Sequence, residues 1–362
     1  MSESAPACID TLLELMALPA PTGQEEPVLA WCRERWAVLG AEIEIAPIGN
    51  ALAHVGGSGP RLLLQGHADE ISFVVRSVDE RGFVWLADGQ GSSRKFHARY
   101  PVGQRALIVP RNGAHVPGVF VSPTGHILST RDDKGESLAD TASTICVDVG
   151  AESRAEAEAL GVHVGAGVIW NPPQQRLGNR YVGKAIDDRV ALALMTHLIA
   201  EVPAGDLTYT LTIAATVQEE IGIAGALSLG GPERFDLAIA IDNGPLADYP
   251  GTDSGELPNR LGHGPALVYK DAMIHYDRRV IGRLRAVAEA SKIPVQDAVY
   301  SGFGSDGVAL MRSGVPAALL GIPTRYTHSA FEMGDVRDLD AALALLKAFV
   351  TTPAEPLPAG PS

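Results

Sequence analysis

Two adjacent glutamates, Glu219 and Glu220, are the residues of this sequence whose spacing most directly suggests chemistry. They follow an apolar run at 210–217 that is typical of a buried strand. Carboxylates in such a position lose solvation and repel each other, so a cation has to compensate their charge. The pair could therefore provide a metal ligand beside a general base. An isolated Glu-Glu pair is more often an exposed acidic turn, so this interpretation depends on polar residues elsewhere in the chain.

His67 and Asp69 form a second candidate, and His67 directly follows the segment RLLLQG, which contains the apolar run at 61–64. Both side chains point to the same face if the strand continues, because successive residues alternate between faces. The carboxylate could then hold the imidazole through its second nitrogen and fix the tautomer that presents the other nitrogen to a metal. The pattern His-x-Asp is unspecific alone, because ordinary surface and core histidines are more frequent.

Asp187 stands at the start of an apolar helix predicted at 188–201. An aspartate at this place commonly caps the helix. Asp188 can serve as that cap, with Arg189 neutralising one of the two carboxylates. Asp187 is then available for another role.

Two further candidates are Asp242, at the end of the run LAIAID, and His328, after the run VPAALLGIPTRYTHS. Their ordinary explanations are an Asx turn and a loop histidine. The chain has 10 histidines, so the strand-end position rather than the residue type distinguishes His67 and His328. Because the carboxyl ends of parallel strands open on one edge of a sheet, residues far apart in sequence can meet there.

Together these clusters offer two histidines, two aspartates and a glutamate as metal ligands. Such a set suits two divalent ions, zinc first, with cobalt or manganese as alternatives. One carboxylate has to bridge, because five ligands cannot otherwise give each of two metals three protein ligands. A second glutamate is then left to take a proton from metal-bound water, as in two-metal hydrolases whose ions lie about 3.5–4 Å apart.

The elements that position these residues predict an α/β fold, with a central mixed, largely parallel sheet sandwiched by helices. Helical and strand patterns alternate at 1–70 and again at 165–352, which we assign to one catalytic domain. Short alternating segments punctuated by Gly, Pro and Asn at 71–164 predict an inserted small β-rich domain. The Pro-rich segment 353–362 is predicted to be a flexible tail.

Two helices are predicted near the N-terminus. The first covers 9–18, where apolar residues recur at helical spacing. The second follows the prolines and glycine at 19–23. Thr22 and Glu25 have the spacing of a capping box, which would start a helix that contains Trp31 and Trp36.

Composition limits the possible classes of function. The 362 residues suffice for two domains or one large domain with an insertion, and 46% hydrophobic with 20% charged residues is typical of a globular protein. The formal charge of −14 argues against nucleic-acid and anionic-membrane partners. Scattered Cys8, Cys32 and Cys146 favour a reducing cytoplasm over a disulfide framework. We expect neither a signal peptide nor a membrane span, since the sequence has no basic leader and no apolar run of ~20 residues.

Five sequence motifs, taken together, are highly specific: GHADEISFVV, VGKAIDDRVALAL, AATVQEEIGIAGA, AIAIDNGP and GSDGVALMRSGVPAALLGIPTRYTHSAFEM. They closely resemble, in the same order, those of the cocatalytic metallo-aminopeptidase family that includes glutamyl, deblocking and tetrahedral (TET) aminopeptidases. The resemblance extends from PAPTGQEEP near the N-terminus to DVRDLD, which is nearly the whole chain.

The resemblance implies an enzyme that removes N-terminal residues from short peptides with two divalent metals. It implies these roles: His67 and Asp242 on one metal, Glu220 and His328 on the other, Asp187 bridging both, Glu219 as general base acting on the water, and Asp69 as partner of His67. It further implies a cis peptide between Asp187 and Asp188. A homo-oligomer is expected, with dimer contacts made by the inserted domain and with a dodecameric tetrahedral shell as one possible assembly.

The sequence departs from the family pattern beside the site. Ala68 stands where Met is common, and Asn243 and Gly244 stand where small hydroxyl or apolar residues are frequent. These neighbours put the substrate preference in doubt rather than the metal ligands. A related dinuclear amidase acting on modified or N-acylated dipeptide-like molecules would need the same ligands. A non-catalytic, self-assembling scaffold is a third interpretation, although the complete ligand set and intact Glu219 argue against it. A glycoside hydrolase is disfavoured, because that reaction uses a carboxylate pair flanking a sugar and no metals.

Overall fold

An eight-stranded mixed sheet forms the centre of the protein in the part that the computed structural model describes, residues 7–89, 103–121, 145–252, 255, 257–354 and 357. The strands are β1 (Glu42–Ile45), β2 (Ala51–Gly56), β3 (Arg61–His67), β4 (Phe73–Val78), β5 (Val84–Asp88), β6 (Arg105–Val109), β7 (Val116–Val121), β8 (Cys146–Asp148), β9 (Gly167–Trp170), β10 (Gln175–Leu177), β11 (Arg180–Gly183), β12 (Thr210–Thr216), β13 (Leu237–Pro245), β14 (Ala266–Lys270), β15 (Gln296–Val299), β16 (Ala317–Thr324) and β17 (Glu332–Asp335). The helices are α1 (Cys8–Ala17), α2 (Glu26–Val38), α3 (Arg154–Ala159), α4 (Ile186–Glu201), α5 (Ala224–Leu227), α6 (Arg278–Ser291), α7 (Gly307–Arg312) and α8 (Val336–Thr351).

The strand order in this sheet is β1-β2-β12-β3-β13-β16-β14-β15. The four central strands β12, β3, β13 and β16 are parallel to their neighbours within that group, whereas β1, β2 and β14 introduce antiparallel pairs. The predicted α/β fold with a mixed, largely parallel sheet is confirmed. The parallel centre brings the carboxyl ends of four strands to one edge.

Helices cover both faces of the sheet, and the sequence of β3 shows why. Leu62 and Leu64 belong to the main core, which includes side chains of α1, α2, α4, α6 and α8. Leu63 points to the opposite face and joins a second cluster with side chains of α5 and α7. Since adjacent strand residues alternate between faces, an uninterrupted apolar run can fill both layers.

A closed barrel of β4, β5, β8, β7, β6 and β9 stands beside the sheet and has its own core. The Phe73 ring lies 5.5 Å from those of both Phe120 and Trp170, measured between centroids. The barrel starts within the predicted insertion at 71–164, but it extends beyond that boundary. Strand β9, at Gly167–Trp170, belongs to the barrel because it pairs with β4 and β6. Ala330, from the far end of the chain, also packs in the barrel core.

The N-terminal segment departs from the predicted capping box. Helix α2 begins at Glu26, after Glu25 as N-cap residue without a side-chain cap. The Glu25 carboxylate accepts hydrogen bonds from the backbone of Gly23 and Gln218, and the Thr22 hydroxyl donates to Asp69. Tertiary partners therefore claim both side chains that the local pattern assigned to the helix start.

The C-terminal prediction concerns residues that are mostly outside the described part. Of the predicted flexible tail at 353–362, the described Ala354 and Leu357 are partly buried and pack against the main core. The role of the barrel in dimer contacts stays a prediction. Among the described helices, none is long and apolar enough to cross a membrane.

Candidate metal centre

The strand ends converge at the carboxyl edge of the parallel centre. In the β12–β3 pair, Thr216 lies opposite His67, so the turn that carries Glu219 and Glu220 begins beside that histidine. Strand β13 is the other neighbour of β3 and carries Asp242. His67, Asp242 and the two glutamates are all buried. The relative solvent exposure of Glu219 is 8% and that of Glu220 is 6%. The pair is therefore not an exposed acidic turn.

Asp187 lies between two imidazoles. Its Oδ1 is 2.9 Å from Nε2 of His67, and its Oδ2 is 3.2 Å from Nε2 of His328. The same His328 nitrogen is 3.4 Å from Oε2 of Glu220. One carboxylate thus faces both histidines with different oxygens, which is the arrangement that a ligand shared between two cations requires.

The predicted ligand residues lie close enough together for several of them to bind the same metal ion. Three groups offer ligand atoms that all lie within 4.8 Å of one another: His67 with Asp187 and Asp242, His67 with Glu219 and Glu220, and Asp187 with Glu220 and His328. The first and third groups share Asp187. The second places Glu219 next to the same histidine.

Asp69 holds the two halves of this cluster in place. Its two carboxylate oxygens accept hydrogen bonds from the backbone N–H groups of Glu219, at 3.0 Å, and Glu220, at 3.2 Å. Its Oδ1 is 3.3 Å from Nδ1 of His67, and its Oδ2 accepts from the Thr22 hydroxyl at 2.9 Å. A single buried carboxylate therefore orients both the imidazole and the turn of the glutamate pair.

Asp187 is positioned by a small sheet of β10, β11 and β17. Strand β11 ends four residues before Asp187. The backbone N–H of Asp187 donates a hydrogen bond of 3.0 Å to Oε2 of Glu332, the first residue of β17. The peptide bond from Asp187 to Asp188 is cis. Glu332 had no predicted role, and no local pattern could assign one because its partner lies 145 residues away.

The expected roles of Asp188 and Arg189 are wrong. Asp188 is fully buried and does not cap a helix, because its Oδ2 accepts from the backbone N–H of His67 at 3.1 Å. Arg189 donates to the carbonyl oxygens of Ala68 and Asp69 and pairs with Glu70 rather than with either aspartate. The residues face the strand end instead of the helix terminus.

Two buried cations near the cluster are used elsewhere. Lys184 places its Nζ 2.8 Å and 3.0 Å from the two oxygens of Glu70 and also donates to the carbonyl of Leu18. Arg189 points to the same glutamate, at 3.5 Å. Their positive charges stabilise Glu70. They do not pair with Asp187, Glu219, Glu220 or Asp242, whose negative charges need another cation.

Burial strongly affects the protonation of the carboxylates. Desolvation, together with the negative charge of Asp187, raises the pKa of Asp242 to about 8. Desolvation and neighbouring carboxylates also raise the pKa of Glu219 and Glu220 well above the usual range. Asp187 behaves differently: burial alone would raise its pKa, but hydrogen bonds with His328 and His67 hold it well below the usual value.

These properties fit divalent cations. Closely spaced, buried carboxylates that resist ionisation gain stability from a positive charge among them. The donors are carboxylate oxygens and imidazole nitrogens, the set that zinc, cobalt and manganese accept. The contacts of Asp187 with both imidazoles each need a proton or a cation between the two atoms. The cluster can therefore hold metal ions, although the role of each residue stays a prediction.

A cavity of about 670 Å³ opens beside the cluster. Asn243, next to the predicted ligand Asp242, and His328 both line it. A molecule in this cavity would contact His328 directly. Ala68, another departure from the family pattern, is fully buried in the main core.

The known proteins that are similar to this chain are described as aminopeptidases. The chain matches the family model described as M42 glutamyl aminopeptidase over residues 49–345. The putative aminopeptidase FrvX of Escherichia coli is 30% identical over 347 residues, covering 95% of each chain. The aminopeptidase APDkam598 from the archaeon Desulfurococcus kamchatkensis superposes with a TM-score of 0.88 at 30% identity, covering 96% of this chain and 95% of that one. A TET aminopeptidase from the marine sediment archaeon Thaumarchaeota archaeon SCGC AB-539-E09 also gives 0.88, at 28% identity, covering 95% and 96%.

The close approach of β3 to α4 makes Gly66 a testable position. A Cβ atom there would lie 2.3 Å from Cβ of Ala191 and 2.6 Å from Oδ2 of Asp188. We expect Gly66→Ala to lower the free energy of unfolding by about 1–3 kcal/mol and to weaken metal binding, because α4 has to shift. Urea unfolding and calorimetric zinc titration measure both effects.

The matched control is Gly282→Ala on the exposed face of α6, where a Cβ meets nothing within 4 Å. That substitution should stabilise the protein by up to about 1 kcal/mol, because alanine favours a helix over glycine. Unchanged stability and metal affinity in Gly66→Ala would show that the packing argument is wrong.

The hydrogen bond from Thr22 to Asp69 gives a second test. Thr22→Val keeps the shape of the side chain but removes the donor, so we expect zinc affinity to fall about 10–100-fold because Asp69 orients His67 and the glutamate turn less firmly. Thr22→Ser keeps the hydroxyl and should bind zinc as the wild type does. Unchanged zinc affinity in Thr22→Val would show that this hydrogen bond does not matter for metal binding.

Proposed function

The chain belongs to the M42 glutamyl aminopeptidase family, and from this premise we propose that it removes N-terminal residues from short peptides with two divalent metal ions. As a member of this family it is an aminopeptidase, a hydrolase of peptide bonds. The observation that carries the finer proposal is the position of Asp187, whose two oxygens face His67 and His328.

The residues are assigned to two metal positions that share one ligand. His67 and Asp242 would hold the first ion and Glu220 and His328 the second, with Asp187 between them; this matches two of the groups whose ligand atoms lie within 4.8 Å. Zinc is the ion we propose first, since both positions combine imidazole with carboxylate; cobalt and manganese suit the same donors.

Bound cations would supply Lewis acidity and lower the pKa of the attacking water. Glu219 acts as the general base: it takes a proton from that water as the oxygen attacks the carbonyl carbon. It then passes the proton to the nitrogen of the breaking C–N bond, and the amine leaves. The burial that raises the pKa of Glu219 suits this task, because a carboxylate in such surroundings accepts and holds a proton readily.

Asp69 and Thr22 position this machinery without touching the substrate. Asp69 fixes the backbone of Glu219, so the carboxylate of the base stays beside His67 instead of turning to solvent. The hydroxyl of Thr22 fixes Asp69 in turn. Such rigid positioning limits the reorganisation needed during the reaction.

The other interpretations gain no comparable support. The amidase would act through the same residues, but the named relatives are aminopeptidases. A non-catalytic scaffold does not need Glu219 buried beside His67.

Replacing the base tests the mechanism. Glu219→Gln should keep two metal ions per chain by elemental analysis and lose about 10²–10⁴-fold in kcat on aminoacyl anilides, because the amide cannot accept the proton. The exposed Glu34→Gln is the matched control and should retain wild-type turnover. Near wild-type activity in Glu219→Gln, or full activity of the wild type after chelation, contradicts the proposal.

We further propose a homo-oligomer built from dimers, supported by the similarity to a protein described as a TET aminopeptidase. A dodecamer of 38.0 kDa chains would have a mass of about 456 kDa. Size-exclusion chromatography with light scattering measures this mass. A single species of one chain mass, unchanged by zinc or concentration, would exclude the assembly.

A further inference from the structure

The cavity beside the metal cluster has an apolar wall. Leu257, Val299, Tyr300 and Phe303 contribute to its lining. The rings of Tyr300 and Phe303 pack edge to face, with centroids 5.3 Å apart and an angle of 68°. Tyr300 is only 2% exposed, so this side of the wall is anchored in the core, whereas Val299 is 55% exposed and lies at the mouth.

Charged side chains are absent from the described lining. Apart from His328, which we assign to a metal, the lining residues of the described chain include no Asp, Glu, Lys, Arg or His. Asp248 and Arg325 lie close in sequence to the lining residues Pro245 and Thr327, but they pair with each other through contacts of 2.6 Å and 2.7 Å. Among these described lining residues, a charged ligand group would find no partner of opposite charge to offset the water that it loses.

The cavity is placed to receive the first side chain of a peptide. In an aminopeptidase the free amine and the scissile carbonyl belong to the same residue, and both have to reach the metal cluster. The side chain leaves from the carbon between these two groups, so it occupies the space nearest the cluster. Asn243 and His328 connect the cavity to the cluster at this point.

We propose that this cavity binds the side chain of the substrate's N-terminal residue and selects aromatic and large aliphatic side chains over acidic and basic ones. The inference rests on the proposed function and adds its substrate class. Its volume of about 670 Å³ lies in the usual range for ligand cavities and leaves room for large side chains. Contact with an apolar wall raises kcat/KM by roughly 10–200-fold for each methylene that it buries.

The test compares aminoacyl anilides that share one leaving group. For the zinc-loaded wild type, kcat/KM for leucyl and phenylalanyl anilides should exceed that for glutamyl and lysyl anilides by about 100-fold or more. Leu257→Lys and Val299→Lys should each reduce the leucyl rate and raise the glutamyl rate, because a cation then faces the side chain. Val38→Lys, at an 82% exposed position on α2, is the matched control and should leave the order unchanged.

Two further measurements separate the possible failures. Calorimetric binding of free leucine and glutamate reports the cavity's preference without turnover: leucine binding without cleavage of any anilide would overturn the proposed function and keep the cavity assignment. Cleavage with glutamyl or lysyl anilides preferred would overturn the cavity assignment and keep the function. A third comparison uses dipeptides that begin with leucine and differ in their second residue. If the effect of Val299→Lys on kcat/KM depended on the second residue, the cavity assignment would also be overturned.

Discussion

The burial of several carboxylates close together is the constraint on which this structure depends. Asp187, Glu219, Glu220 and Asp242 meet at one sheet edge with little exposure to water. Transferring carboxylate charges from water into such a site costs several kcal/mol for each ion. The nearby cations Lys184 and Arg189 are committed to Glu70. The fold therefore concentrates negative charge where divalent ions can bind, and the rest of the α/β sandwich keeps those groups together.

Asp69 shows how this concentration is made rigid. A carboxylate with four oxygen lone pairs directed at fixed donors has little freedom left. Two of its donors are consecutive backbone N–H groups, so the turn after β12 is held by its main chain and not by its side chains. The side chains of Glu219 and Glu220 are therefore not needed to hold this turn. The same carboxylate contacts His67, so β3 and β12 are linked beyond their own hydrogen-bonded ladder.

The sequence predicts the features that depend on local pattern. Apolar runs correctly indicated the strands β3, β12 and β13, because parallel strands buried on both faces must be apolar throughout. The predicted end of β13 was wrong, because this strand continues through Asp242 to Pro245 as it pairs with β16. The local pattern also failed where the partner of a side chain is remote. Thr22 has the spacing of a helix cap yet binds Asp69, 47 residues on, and Asp188 likewise binds the backbone of His67. No local preference encodes such contacts. Strand β9 lies outside the predicted β-rich domain at 71–164 for the same reason, since its partners β4 and β6 are remote in sequence.

The position of Ala330 shows that the two cores of the protein are not independent modules. This residue follows His328 by two positions, yet its side chain is 4% exposed and belongs to the barrel core with Phe73 and Trp170. The loop that carries His328 is therefore tethered to the barrel. A substitution that repacks the barrel core around Ala330 would therefore also displace the segment that carries His328.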